Sequence, residues 1–319
     1  MRFVFVMDPP ETVLADKDTT FGLMAESERR GHRIEHCLVH DVLLDGGRPC
    51  ARVRHAKIDR NATPPVALGA WDEVALSEVD AVFVRKDPPF DSNYLWAVLM
   101  LERLRGLTLV VNDPQGLRDA NEKLYACHFP EHMPDTLVSS DKARIKAFVD
   151  RVGGRAVIKP LDGAGGEGVM MLVAGDLNTN AIIEAQTHGS RRAAMVQKFL
   201  PEVRAGDKRI LLLDGEPLGA ILRVAAHDDV RSNIHVGGSV SPATLDDADR
   251  RIIAAVAPRL RADGLWFVGL DVIGGRLTEV NVTSPTGIQQ MSRFAGRELS
   301  ADVIDWIERR ALALERGES

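Results

Sequence analysis

Lys159-Pro160-Leu161-Asp162-Gly163-Ala164-Gly165-Gly166-Glu167-Gly168 is the stretch on which the reading of this chain turns. A short apolar strand pattern, Ala156–Lys159, leads into it, and a second, Val169–Val173, follows it. Glycine opens backbone conformations closed to other residues, so successive N–H groups can approach and cradle an anion. No Gly-Lys-Ser/Thr closes the run, which excludes a Walker loop. A strand follows where a dinucleotide fingerprint would need a helix. Two readings remain, an ordinary glycine-rich turn or a lid over phosphate groups.

Downstream, Phe267-Val268-Gly269-Leu270-Asp271-Val272-Ile273 and Leu277-Thr278-Glu279-Val280-Asn281-Val282 alternate like two strands of a hairpin. Joining the apolar faces sets Leu270 opposite Val280, with a three-residue loop, Gly274 to Arg276. Asp271 then lies across from Glu279, with Asn281 two residues further along the same face. Three oxygen-bearing side chains on one rigid surface suit a hard cation such as Mg²⁺, whose shell is completed by phosphate and water. The competing reading is the solvent face of an amphipathic hairpin, although Asp and Asn are poor strand formers. Arg209 and Arg223 stand at strand positions between the two features. Each alone reads as a surface residue; beside a phosphate loop and a carboxylate cluster, each reads as a charge stabiliser. Lys123 is uninformative by itself.

Upstream, strands Phe3–Met7, Ile34–Leu38, Ala81–Val84 and Leu107–Asn112 alternate with helices Thr20–Arg30 and Tyr94–Arg105. That order predicts a mostly parallel sheet flanked by helices. Past Asp113-Pro114 comes an α+β unit: helix Lys142–Arg151 behind the cap Asp141, the glycine loop and its strands, a helix near Leu177–Thr187, and strand Ala194–Lys198. Two strands joined at Asp214-Gly215, a long loop near 225–241, helix Asp246–Arg261 and the hairpin complete the chain. The expected division is 1–121, a unit with the mostly parallel sheet; 122–200, an α+β unit with the glycine-rich loop; and 201–319, a unit with the carboxylate hairpin.

The 319 residues are 45% hydrophobic and 27% charged, which suits a globular protein of two or three subdomains. A net charge of -6 argues against a nucleic-acid surface. Cys37, Cys50 and Cys127 have neither disulfide-framework nor zinc-ligand spacing. No apolar stretch reaches membrane-spanning length. A soluble, cytoplasmic protein is the expectation.

The chain resembles bacterial glutathione synthetase from Met7-Asp8-Pro9 to about Ile288. The resemblance is carried by Arg85-Lys86-Asp87-Pro88-Pro89-Phe90-Asp91, Arg118-Asp119-Ala120-Asn121-Glu122-Lys123-Leu124, Lys159-Pro160-Leu161-Asp162-Gly163 and Gly206-Asp207-Lys208-Arg209. Phe267-Val268-Gly269-Leu270-Asp271 and Glu279-Val280-Asn281-Val282-Thr283-Ser284-Pro285-Thr286 extend it. It implies an ATP-grasp fold with an N-terminal Rossmann-like substrate subdomain, 1–121, a central lid subdomain, 122–200, and a C-terminal subdomain with the metal site and substrate loop, 201–319. By matching positions, Lys123 and Lys159 would contact nucleotide phosphates, Gly163, Gly165, Gly166 and Asp207 would belong to the nucleotide site, and Gln197-Lys198-Phe199-Leu200 would read adenine. Asp271, Glu279 and Asn281 would hold Mg²⁺, with Mn²⁺ as a substitute. Arg223 would face the reacting carboxyl, Arg209 the phosphates. Arg85, Asn281, Ser284 and Pro285 would lie near γ-glutamylcysteine.

The implied reaction joins γ-glutamylcysteine to glycine through an acyl phosphate, with ATP as co-substrate, in a homo-oligomer. Partners are small molecules, with no nucleic acid and no membrane. The segment Ala225–Asn233, with His227, and Ser239-Val240 depart from the family pattern, which bears on acceptor choice. Gly287 stands where some members carry cysteine. The rivals are a ligase of the same fold for another donor and amine, and a nucleotide-binding scaffold without chemistry. The presence of Asp271, Glu279, Asn281 and Arg223 counts against the scaffold, and the lack of a kinase loop against a kinase.

Overall fold

A computed structural model describes residues 1–163, 165–224 and 239–317, the side chain of Thr12 excepted. Strand Arg2–Met7 buries Phe3 to Val6 completely. Both its edges pair in parallel, with Arg33–Cys37 and with Ala81–Arg85, and Leu109–Val111 extends the set. Strands covered on both faces read as continuous apolar runs, which is why Phe3-Val4-Phe5-Val6 shows no alternation. Helices Thr19–Arg29 and Ser92–Leu101 flank them, capped by Asp18 and Asp91, whose carboxylates accept from the N–H of Phe21 and Tyr94.

The expected mostly parallel sheet is instead mixed. Val42–Asp45, Arg48–Ile58 and Val66–Ala75 add an antiparallel wing, giving seven strands. The signal was present in Asp45-Gly46-Gly47-Arg48, where both glycines take positive φ (54° and 84°) in a two-residue turn. Polar residues recurring along Arg48–Ile58 mark a strand with one solvated face.

A second, four-stranded sheet orders Met170–Val173, Arg155–Pro160, Ala194–Lys198 and Thr136–Ser139. Helices Lys142–Arg151 and Thr179–Gln186 cover it over a separate core that includes Ile145, Phe148, Ile158, Leu172 and Ile183. A third, five-stranded sheet orders Ser239–Pro242, Glu216–Val224, Asp207–Leu213, Phe267–Ile273 and Arg276–Asn281. Helix Asp247–Ala262 belongs to this part of the chain, and Asp246 and Asp249 form its capping box. The terminal helix Leu299–Glu315 returns to the first sheet's flank, where Arg30 bonds Asp305 and Glu308. Among the described residues no helix is long and apolar enough to cross a membrane.

The hairpin register places Leu270 opposite Val280 and Asp271 opposite Glu279, as alternation requires. Its turn, however, is the two-residue Gly274-Gly275 and not a three-residue loop, because Ile273 pairs with Arg276. The spare residue is taken up by a bulge between Asp271 and Val272, which pairs Leu277 with Val272 and leaves Leu277 fully buried. Both turn glycines have positive φ, so the tight turn costs little there. Asn112 ties the first sheet to the third: its Nδ2 donates to the carbonyls of Phe267 (2.9 Å) and Val282 (2.8 Å), and its Oδ1 accepts from the Phe267 N–H (2.7 Å).

Candidate active site

The second and third sheets face each other across a cleft of about 990 Å³, a figure that includes the open solvent at its mouth. Val157, Lys159, Gly163, Gly165, Gly166, Met171 and the segment Gln197–Leu200 line one wall. Asp207, Asp271, Ile273, Thr278 and Glu279 line the other, and Lys123 joins from the short helix Glu122–Ala126. Every residue assigned to the nucleotide site from sequence is therefore at this cleft. Its lining combines apolar side chains (Val157, Met171, Leu200, Ile273) with charged ones (Lys123, Lys159, Asp207, Asp271, Glu279), a combination that suits a flat ring with a charged tail.

Strand pairing explains the charge pattern. Arg209 lies directly across from Asp271, and Asp271 across from Glu279; Asp207 lies across from Arg223. The Arg209 guanidinium grips Asp271 through both oxygens, at 2.5 Å from Nε and 2.9 Å from Nη2. Arg223 Nη2 lies 3.0 Å from the same carboxylate and also bonds Asp207. All four of these side chains are buried. Burial works to raise the Asp271 pKa, but the two guanidinium charges outweigh it and hold the carboxyl well below the usual range. Arg223 is firmly charged for the reciprocal reason: burial opposes the cation, and Asp207 and Asp271 overcome it. Its Nε is buried with no hydrogen-bond partner among the described residues.

Lys123 Nζ lies 3.0 Å from Glu279 Oε1 and donates to the Gly163 carbonyl at 2.5 Å. Lys159 Nζ donates to the Thr278 carbonyl at 3.2 Å. Burial lowers the Lys159 pKa, with Glu279 partly offsetting it. Glu122 escaped the sequence reading as a functional group, although it sits inside the run Asn121-Glu122-Lys123. Its Oε1 accepts from the N–H groups of Val282 and Thr283 and from the Thr283 hydroxyl, which pins the hairpin's exit to the helix carrying Lys123. Burial, and then the Glu279 charge, raise its pKa. The companion signal would have been an acidic residue at the first turn of a helix whose next residue is a binding lysine.

Among the described residues no three His, Cys, Asp or Glu side chains converge to hold a metal by themselves. Asp271 and Glu279 nevertheless supply facing carboxylates, and Asn281 donates through Nδ2 to the Gly269 carbonyl at 3.2 Å, which leaves its Oδ1 for another partner. Two carboxylates and an amide oxygen fit a hard divalent cation that takes its remaining ligands from phosphate and water. Asn281 does not itself line the cleft wall.

The remaining predicted residues lie at a second cavity, bounded by the first sheet's strand ends at Met7 and Arg85, the segment 8–20 and the segment after the hairpin. Arg85 and Ser284 line it, and the Pro285 carbonyl accepts from Arg85 Nη2 at 2.9 Å. Arg85 Nε donates to Thr20 Oγ1 at 3.1 Å, and burial brings its pKa down to about 10. The segment Ser284–Thr286 connects the two regions, because the Thr286 carbonyl accepts from Arg209 Nη1 at 3.3 Å. Ala225–Asn233, including His227, lies outside the described residues.

Two family models, the prokaryotic glutathione synthetase N-terminal domain and its ATP-grasp domain, match residues 1–118 and 122–296. The chain belongs to the prokaryotic glutathione synthetase family. A glutathione synthetase of Gloeobacter violaceus is 49% identical over 313 residues, covering 96% of each chain. One from Vibrio cholerae is 42% identical over 315 residues, covering 98% of this chain and 99% of its own. Solved structures share the fold at much lower identity. A D-cycloserine synthetase has a TM-score of 0.65 at 16% identity, over 96% of this chain and 100% of its own. A D-alanine–D-alanine ligase from Bacillus anthracis has a TM-score of 0.62 at 14%, over 100% of both chains. The fold is thus ATP-grasp, and family membership makes the chain an ATP-dependent ligase.

Proposed function

We infer that the protein joins γ-glutamylcysteine to glycine at the expense of ATP, giving glutathione, ADP and phosphate. The observation that carries this is the buried Arg209–Asp271–Arg223 cluster on the same sheet face as Glu279, beside the cleft that the glycine-rich segment lines. Nearly full-length identity to glutathione synthetases supports the choice of substrates.

In this reading adenine lies against Gln197–Leu200 and the triphosphate runs under Gly163–Gly166 towards Lys123 and Lys159. Asp271, Glu279 and Asn281 hold the metal, which we take to be Mg²⁺. That ion neutralises developing charge on the phosphates when bound. Transfer of the γ-phosphoryl group to the cysteinyl carboxylate needs alignment and charge neutralisation more than covalent help. Lys123 and Lys159 provide positive charge along the phosphates. Arg223 meets the reacting carboxylate. Glycine's amine then attacks the acyl phosphate, and the arginines stabilise the tetrahedral oxyanion. The glycine-rich segment keeps water from the acyl phosphate. Residues 1–121, 122–200 and 201–319 act here as substrate, lid and metal-binding units.

The test is ADP release with ATP, Mg²⁺ and γ-glutamylcysteine, with and without glycine. Release that requires both substrates, with a tripeptide of the right mass, is expected. Release only with a different amine would overturn the acceptor, and ATP binding without turnover would overturn the reaction.

A further inference from the structure

Three consecutive side chains at the start of the short helix Glu122–Ala126 hold different parts of the cleft. Asn121 caps the helix, its Oδ1 accepting from the N–H groups of Lys123 (3.1 Å) and Leu124 (3.0 Å). Its Nδ2 donates to the Leu161 carbonyl at 2.9 Å, at the entry to the glycine-rich segment. Glu122 Oε1 accepts from the N–H groups of Val282 (2.9 Å) and Thr283 (3.1 Å) and from the Thr283 hydroxyl (2.8 Å). Lys123 reaches both the Gly163 carbonyl and Glu279. The hairpin's returning strand is therefore clamped at Glu279 and again at Val282-Thr283, and Asn281 lies between the clamps.

Filling backbone donors does not by itself require Glu122. Strand Arg276–Asn281 ends before Val282, so the N–H groups of Val282 and Thr283 lie past its ladder and, in buried residues, must find acceptors. A nearby Asp, Asn or Ser side chain commonly does this locally. The chain instead brings a carboxylate from 160 residues upstream, on the residue that precedes Lys123. The same turn of helix thus carries the lysine proposed for phosphate and the anchor of the strand proposed for metal.

We propose that Glu122 is a positioning residue. It fixes the Lys123 ammonium relative to Asp271, Glu279 and Asn281, so that lysine and metal engage the phosphates of one nucleotide together. This rests on the nucleotide and metal assignments made above. A cation on one element and a metal on another reinforce each other only when the spacing between the elements matches the phosphate chain. A loose joint lets each bind alone and loses the gain.

The test measures, by calorimetry, the affinity of a non-hydrolysable ATP analogue with and without Mn²⁺ in the wild type, Glu122→Asp and Glu122→Gln. In the wild type Mn²⁺ should raise that affinity roughly 10- to 100-fold. Glu122→Asp keeps the charge but shortens the reach by one methylene. It should lose about tenfold of the gain, with affinity for the analogue alone within about twofold of the wild type. Glu122→Gln keeps the reach and an acceptor oxygen without the charge, and should retain the gain. A full Mn²⁺ gain in Glu122→Asp overturns the proposal even where its urea midpoint falls, because Glu122 would then serve the fold alone. Loss of the gain in a folded Glu122→Gln overturns it too, whether or not Glu122→Asp folds. A wild type that binds no analogue overturns the nucleotide site and this proposal together. The expected pattern in a protein that makes no glutathione would uphold the proposal and overturn only the ligase reading.

Discussion

The Lys123 ammonium lies 3.0 Å from Glu279 Oε1, an ion pair whose side chains are 6% and 21% exposed. A carboxylate proposed to bind metal is thus already satisfied by a lysine proposed to bind phosphate. Asp271 is likewise held by Arg209 and Arg223. Nucleotide phosphates would draw these cations away and release the carboxylates, so metal and nucleotide should bind with positive coupling. Mn²⁺ binding followed by electron paramagnetic resonance should be weak in the free protein and strengthen with a non-hydrolysable ATP analogue. Lys123→Met should raise nucleotide-free Mn²⁺ affinity roughly tenfold, the worth of one charge-assisted contact. Equal affinity in wild type and variant would count against the idea.

The two carboxylates of the hairpin should fail in different ways. Glu279→Ala is expected to lose turnover while its urea midpoint stays near that of the wild type, because Lys123 keeps the Gly163 carbonyl. Asp271→Ala leaves two buried guanidinium groups without their shared partner and should cost about 3–5 kcal/mol in urea unfolding. If both variants unfold alike, the distinction between site and scaffold is wrong.

Arg223→Lys keeps the charge but removes the fork that reaches Asp207 and Asp271. Turnover should fall by roughly 10²–10³, the usual effect of one lost oxyanion donor, with the KM for ATP little changed. Near-normal kcat would remove Arg223 from the reaction.

Asn112→Ala deletes three buried hydrogen bonds between the first and third sheets. It strands two carbonyls and an N–H, so a loss of about 2–4 kcal/mol is expected in chemical unfolding. A change below 1 kcal/mol would mean that water replaces the amide.

His36 is buried, with Nε2 3.3 Å from the Asp8 carbonyl and Nδ1 without a partner among the described residues. Burial lowers its pKa, so the fold binds its proton less readily than the unfolded chain does. The associated stability is complete above the ordinary histidine pKa and is lost as pH falls through it towards the folded value. Urea midpoints at pH 7.5 and 5.5 should therefore drop further for the wild type than for His36→Asn. Parallel drops would assign the acid sensitivity to other groups.

Alternation alone was enough to pair Asp271 with Glu279, because slipping the register by one residue would expose Leu270 and Val280. It could not place the bulge at Asp271/Val272, since a two-residue turn with a bulge and a three-residue loop accommodate the same apolar pattern. The apolar runs Phe3–Val6 and Ala81–Val84 announced parallel strands, while the antiparallel wing from Val42 to Ala75 was missed despite its Gly46-Gly47 turn. Glu122 stayed hidden for another reason: a lone Glu carries no periodicity, and its meaning is set by what lies across from it.

By itself, then, the sequence determined the family, the fold class, the glycine-rich segment and the carboxylate pair, all of which depend on local spacing or on ordered motifs. Only the tertiary structure decided which charges neutralise one another. It set Arg209 and Arg223 around Asp271, Lys123 against Glu279, and Gln290 at a cavity with Asp18 and Arg85. Those contacts join residues far apart in sequence, on neighbouring strands of the third sheet or on helices beside it, and Coulomb and hydrogen-bond energies depend on distances that only packing sets.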